Sequence, residues 1–294
     1  MTSAARVRYR ATRCACAQRT LDSMIPIMSL HPSRPTQVAR VRPPASSLSL
    51  SAALGDQLAR LYDLTQRSEH VFGTPLGPFQ HAGRQHYLPR FVYFGSQTSE
   101  ESPRLAFLAG LDSRDLRPTL ALLHLVEELA VKPDLGQSLH VAFYPLVDVL
   151  GHLKQTDPRD LTAQDWAVAG APEIDLLAKD SRLRSYHAFI RVETGSADDA
   201  VTLRLRMADG GAASVAFLSS EDFAPFAVRW EIESGPLLSA GPLSLADDLP
   251  FRPLDLTLRV PADWSPEFYR EAVASILKRF IVRYRGFLAY GQHL

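Results

Sequence analysis

The sequence lacks most of the features that usually declare a function. Only two of its 294 residues are cysteine, Cys14 and Cys16, and both sit near the start. The pair has no second pair and no neighbouring histidine, which argues against a zinc site there. The remainder has no thiol, so it holds neither a disulfide framework nor a thiolate metal centre, and this fits a cytoplasmic protein. There is no Gly-rich phosphate loop, no internal repeat and no apolar run long enough to cross a bilayer. A charge excess is also missing. Lys and Arg number 32, as do Asp and Glu, so neither nucleic acid nor an anionic membrane is expected as a partner. Histidine is present but not at metal-ligand spacing. His70, His81, His86 and His152 fall in loop-like stretches, and His124 stands among helix leucines as a core residue. His187 opens a strand and is the one imidazole with a route toward a cleft.

What is present is an ordinary globular composition, 46% hydrophobic and 22% charged, in a chain long enough to bury a large core. Residues 1–44 differ. Asp22 is their only acid against eight arginines, Pro, Ser and Thr are frequent, and no apolar periodicity persists. Such a segment cannot offset its ordering entropy by burial and reads as disordered. It resembles a transit peptide, and equally the product of a reading frame whose true start is Met24 or Met28. Residues 45–294 read as a single α/β domain.

Periodicity places its elements. Leu50, Leu54, Leu58, Leu61 and Leu64 mark a first helix. The stretch 85–95 suits one or two strands bent at Pro89. Residues 104–110 and 139–147 read as strands buried on both faces, with an amphipathic helix between them. That order is a βαβ unit and implies a mixed, largely parallel twisted sheet flanked by helices. Residues 148–171 read as a long loop broken by Gly151 and Pro158, and a helix follows over 172–183. Strands are expected at 187–195, 200–207 and 254–261. A closing helix runs over 265–291, capped by Ser265, with Phe268, Ala272, Ile276, Phe280 and Tyr284 as its buried stripe.

One corner stands out. Between the first buried strand and its helix lies Asp112-Ser113-Arg114-Asp115, two carboxylates three residues apart. In an open α/β sheet, ligands sit at the carboxyl ends of strands. Asp112 and Asp115 occupy such an end, as do Glu193 after "FIRV" and Arg259 in "LDLTLR". Taken singly, Asp115 suits a helix cap, Asp112 a turn, and Glu193 and Arg259 solvated strand ends.

The order of these pieces, from about Leu50 to Leu288, resembles the zinc carboxypeptidases, in particular the succinylglutamate desuccinylase and aspartoacylase branch. In that family a strand ends in Ala-Gly-x-His-Gly-x-Glu, and here the same place reads Ala109-Gly110-Leu111-Asp112-Ser113-Arg114-Asp115. A later Leu-His-Thr-Gly is matched by Val192-Glu193-Thr194-Gly195, and Leu-Thr-x-Glu-x-Pro by Leu256-Thr257-Leu258-Arg259-Val260-Pro261. The substrate-binding Asp-Leu-Asn-Arg corresponds to Asp160-Leu161-Thr162-Ala163, followed by Trp166 and Pro172-Glu173. The resemblance implies a zinc hydrolase fold whose metal-ligand positions are filled by Asp112, Asp115 and Glu193. It puts Arg259 at the general-base position and Thr162 and Thr194 at binding positions.

Three carboxylates without an imidazole suit Mg²⁺ or Ca²⁺ better than zinc, and Arg259 stays protonated, so it cannot act as a base. The expectation is a catalytically inactive relative without zinc, keeping its cleft for a small molecule or peptide. Arg259 would stand in for the metal as counter-charge, with Arg114 and Arg191 near enough in sequence to join it. Two other readings stay open: an active metal-dependent hydrolase of a peptide or N-acyl amino acid, and an interaction protein working through another surface.

Overall fold

The computed structural model describes residues 52–98, 102–133, 138–154, 170–196, 200–207, 220–234 and 254–291. The expected leader with Cys14 and Cys16 lies outside the described residues, as do Asp160, Thr162, Ala163 and Trp166. The helices are α1 (Ala52–Thr65), α2 (Arg117–Val131), α3 (Val149–Lys154), α4 (Pro172–Arg184) and α5 (Pro266–Gly291). The strands are β1 (Val71–Gly73), β2 (Leu76–His81), β3 (Arg84–Leu88), β4 (Phe91–Phe94), β5 (Arg104–Leu108), β6 (His140–Tyr144), β7 (Ala188–Thr194), β8 (Val201–Met207), β9 (Val228–Ser234) and β10 (Leu254–Val260). No described helix is long and apolar enough to cross a membrane.

Eight strands form one mixed sheet in the order β1-β4-β6-β5-β7-β10-β8-β9, while β2 and β3 pair as a separate hairpin. Four of the seven neighbouring pairs are parallel, including the whole central run β6-β5-β7-β10. The chain leaves β5 through α2 to reach β6 on one side, and its next sheet strand, β7, lies on the other side of β5. The strand order therefore reverses at β5, and the crevice beyond the carboxyl ends of β5 and β7 is a topological switch point. The two crossovers run in opposite directions, so right-handed connections put α2 and α4 on opposite faces of the sheet.

The two faces differ in character. Register puts Ile190, Val192, Leu256, Leu258, Leu203 and Leu205 on one face, all buried. The same register puts Arg191, Glu193, Asp255, Thr257, Arg259, Arg204 and Arg206 on the other. That is why β7, β8 and β10 alternate in sequence while β5 and β6 do not. Toward β6, the same face closes over a buried polar cluster. Asp180 of α4 accepts hydrogen bonds from Arg90, Tyr144 and Arg184, and Tyr186 adds a further one at 3.2 Å. These bonds hold Asp180 below the usual carboxylate range. Burial acts the other way, and Arg90, the hydroxyl of Tyr144 and Arg184 outweigh it.

The backbone after β5 is locked to the loop after β6. Val147 N–H donates to Ala109 O at 2.9 Å, and Asp148 N–H to Gly110 O at 3.0 Å. Gly110 has φ +67°, and a Cβ there would lie 2.8 Å from Leu146 Cα and from Thr119 Oγ1. Only glycine satisfies both constraints.

Four expectations need correction. Residues 149–154 form α3 rather than loop, and Gly151 helps it: the Asp148 carboxylate caps the helix through Gly151 N–H at 2.7 Å, in space that a Cβ would fill. Phe268 is 47% exposed, and the buried residue of that turn is Tyr269. A stripe at every fourth position drifts about 40° per step on a 100°-per-residue helix, so Phe268 and Tyr284 cannot both face the core. Phe268 packs instead on Trp264, with ring centroids 4.6 Å apart. His187 lies at the amino-terminal end of β7, where its Nδ1 accepts from Arg104 N–H at 3.1 Å, at the opposite end of the sheet from the crevice. His124 is only partly covered and faces Glu128 at 3.7 Å.

Replacing Gly110 with alanine should lower stability by about 2–4 kcal/mol, because strain and overpacking act together. The control is Gly83→Ala in the β2–β3 turn, where φ is +73° but the Cβ meets nothing within 4 Å, and which should cost only about 1 kcal/mol. Urea denaturation of both variants checks this, and equal losses would contradict it.

Candidate functional site

The corner between β5 and α2 carries a sequence pattern that repeats at once: Asp112-Ser113-Arg114, then Asp115-Leu116-Arg117. In each half the aspartate turns back on the arginine two residues later. Asp112 Oδ1 accepts Arg114 N–H at 2.9 Å and Arg114 Nε at 3.3 Å. This half is a solvated turn, with the Asp112 side chain 39% exposed.

The second half is different. Asp115 is 19% exposed, and Arg117 forks onto it: Nε reaches Oδ1 at 2.9 Å and Nη2 reaches Oδ2 at 2.9 Å. The same carboxylate accepts Arg117 N–H at 3.0 Å, which caps the first turn of α2 although Leu116 is the residue at the cap position. Burial alone would raise the Asp115 pKa. The hydrogen bonds from Arg117 and from the Thr194 hydroxyl outweigh it and hold the carboxyl below its ordinary value.

Arg117 reaches further. Its Nη1 donates to Ala262 O in the segment after β10, and its guanidinium lies 5.7 Å from the centroid of the Tyr269 ring in α5. The Tyr269 hydroxyl is 3.2 Å from Thr194 Oγ1. Burial raises the Tyr269 pKa, and the nearby Asp115 and Glu193 carboxylates push it the same way. Asp115, Glu193, Thr194, Arg117 and Tyr269 thus share one neighbourhood at the carboxyl ends of β5, β7 and β10.

Glu193 and Arg259 are register partners on adjacent parallel strands, and Arg259 Nε lies 3.4 Å from Glu193 Oε2. Arg259 therefore meets one of the three carboxylates, at a long distance and with its side chain 40% exposed. The counter-charge expected chiefly from Arg259, with Arg114 and Arg191 beside it, is divided among Arg114, Arg117 and Arg259. Arg114 holds Asp112, Arg117 holds Asp115 and Arg259 holds Glu193. Arg191, expected to join this group, turns to Asp255 at 3.3 Å, and both are buried. Arg117 was the residue missed, and the doubled Asp-x-Arg was the available signal. Thr194 is in the network, Thr162 is among the residues not described, and Glu173 is buried in the first turn of α4.

These donors do not fit zinc. A catalytic zinc takes about three nitrogen, sulfur or oxygen ligands and keeps an open position. Here the three positions supply carboxylates only, each already engaged by a guanidinium, and among the described residues no group of three or more His, Cys, Asp or Glu side chains is placed to hold a metal ion.

Arg117→Ala should destabilise the protein by about 1–3 kcal/mol at pH 7, between the ranges for exposed and buried pairs. Arg259→Ala should cost no more than about 1 kcal/mol. The Asp115 contribution exists while its carboxyl is ionised in the folded state and ordinary in the unfolded one. It is full above the ordinary carboxylate pKa and is lost as pH falls through the depressed folded value. The Arg117→Ala deficit should therefore shrink as pH is lowered from 7 toward 3. Denaturation at several pH values checks both the ranking and the trend.

No protein-family model and no curated protein matches this sequence. Solved structures do match in shape. A metallo-carboxypeptidase from Burkholderia cenocepacia superposes with a TM-score of 0.61 at 14% identity, over 78% of this chain and 68% of that one. A metallo-carboxypeptidase from Pseudomonas aeruginosa, solved with (2-guanidinoethylmercapto)succinic acid, gives 0.57 at 14% identity over 76% and 67%. A candidate metallopeptidase from Shewanella denitrificans gives 0.54 at 13% identity over 78% and 88%. Likeness at such identities speaks for the backbone and not for the chemistry, and on that basis the chain has the zinc-carboxypeptidase fold.

Proposed function

We propose that this chain is a non-hydrolytic protein of carboxypeptidase fold that keeps the switch-point crevice as a binding site for a small molecule or peptide. One observation carries the reading: each carboxylate at the three metal-ligand positions is held by its own arginine. A metal hydrolase needs those oxygens free for the ion and needs a base to take the proton of bound water. Arg259, at the base position, has no lone pair to offer. A divalent cation such as Mg²⁺ or Ca²⁺ would have to displace guanidiniums from Asp115 and Glu193. A chain without cysteine beyond Cys16 also needs no oxidising compartment, which supports a cytoplasmic setting.

Purified protein, before and after incubation with Zn²⁺, should hydrolyse neither N-succinylglutamate nor a hippuryl amino acid above the rate of the uncatalysed control. After metal-free purification, elemental analysis should find far less than one zinc per chain. Turnover that Asp112→Ala or Asp115→Ala abolishes would establish the opposite, a hydrolase with a rebuilt carboxylate site.

A further inference from the structure

The sheet ends on an open edge. β9 pairs with β8, and no described strand lies beyond it. The direction of its free backbone groups follows from the ladder. Val201 is the register partner of Val228, and its N–H donates to Ala227 O at 3.1 Å. Alternate residues of a strand face the same neighbour, so Ala227, Arg229, Glu231 and Glu233 turn their backbone groups to β8. The N–H and C=O groups of Val228, Trp230 and Ile232 turn outward. Such a row is a template for another strand.

The side chains along this edge complement themselves. Val228, Trp230 and Ile232 continue the apolar face of Leu203 and Leu205. Cover runs out along them: Val228 is buried, Trp230 is partly covered and packs on Phe223 with ring centroids 6.1 Å apart, and Ile232 is 57% exposed. On the charged face Arg229 is exposed, with no ion pair among the described residues. Arg204 holds Glu231 through Oε2 alone, which leaves Oε1 for a second cation. Two copies of the strand laid antiparallel about a twofold axis at Trp230 set Arg229 opposite Glu231 twice, Val228 opposite Ile232 twice, and Trp230 opposite itself. The outward N–H and C=O groups meet in the same register. A slip of one residue would join the apolar face of one copy to the charged face of the other. An axis at Arg229 or at Glu231 would set like charges directly against each other.

We infer that β9 is a self-association edge: a second copy of this chain pairs with it antiparallel about Trp230, and the sheet runs on across a twofold dimer. The added strand covers Ile232, satisfies the outward backbone groups and gives Arg229 an acid. The contact is one strand long, at the small end of specific interfaces, so the dimer is reversible, with a dissociation constant on the order of 10–100 µM.

The test is sedimentation velocity of the full-length protein across that concentration range, with Cys14 and Cys16 kept reduced. Wild type should pass reversibly from monomer to dimer. Arg229→Glu alone and Glu231→Arg alone should each raise the dissociation constant by about tenfold or more, since each homodimer then opposes like charges twice. An equimolar mixture of the two variants should regain the dimer, because both facing pairs become complementary again. Glu231→Arg also loses its bond to Arg204, so Ile232→Pro provides a second route should that variant fail to fold. Its lost N–H faces away from β8, and it should keep the fold while abolishing the dimer. A wild type that stays monomeric throughout, a dimer that Arg229→Glu or Ile232→Pro leaves unchanged, or a mixture of folded variants no tighter than either alone would overturn the inference.

Discussion

The fork of Arg117 on Asp115 is the contact on which the rest of the crevice depends. A carboxylate at the switch point loses much of its water, and without a counter-charge it would take up a proton or unfold its corner. The arginine supplies that charge from two residues away. It also ties together the turn after β5, the segment after β10 through Ala262, and the start of α5 through the Tyr269 ring. A metal ion in the same place would gather ligands from several strands with two positive charges. The guanidinium gathers them with one, through bonds that have fixed directions. Such bonds hold a corner in shape but offer no open position for a reacting water.

The sheet around that corner is divided. Its central strands are apolar on both faces near β5 and β6, where helices cover both sides. They become one-sided across β7, β10, β8 and β9. There the second face is a ladder of ion pairs: Arg191 with Asp255, Arg204 with Glu231, Arg206 with Glu233, and Glu193 with Arg259. Adjacent strands supply opposite charges at matching levels in three of these pairs, and Arg191 reaches Asp255 diagonally, which makes a charged face compatible with a folded sheet. The crevice opens where this ladder meets the corner, so its chemistry is set by arginine and carboxylate rather than by imidazole.

Much of this could be read from the residues. The βαβ unit, the Ser265 cap and the alternation in β7, β8 and β10 all rest on local periodicity, which sequence displays directly. Ser265 accepts Phe268 N–H at 3.2 Å, as a capping serine should. Strand β9 was not anticipated, because Trp230 and Ile232 alternate with charged residues over only seven positions and the strand has one described neighbour. The split of the carboxylates among three arginines was legible only in part. The doubled Asp-x-Arg displays Asp112 with Arg114 and Asp115 with Arg117, whereas Arg259 with Glu193 depends on strand register, which does not follow from spacing along the chain. Arg191 shows this: its side chain lies on the same face as Glu193, but the level of β10 places Asp255 within its reach.

The central claim is that guanidinium, not metal, occupies the neighbourhood of Asp115. The most direct measurement is an anomalous diffraction experiment on crystals soaked in Mn²⁺ and, separately, in Zn²⁺. The account predicts Arg117 forked on Asp115 in both, with no anomalous peak within coordination distance of Asp112, Asp115 or Glu193. A peak shared by two or more of these carboxylates, with Arg117 turned away, would contradict it.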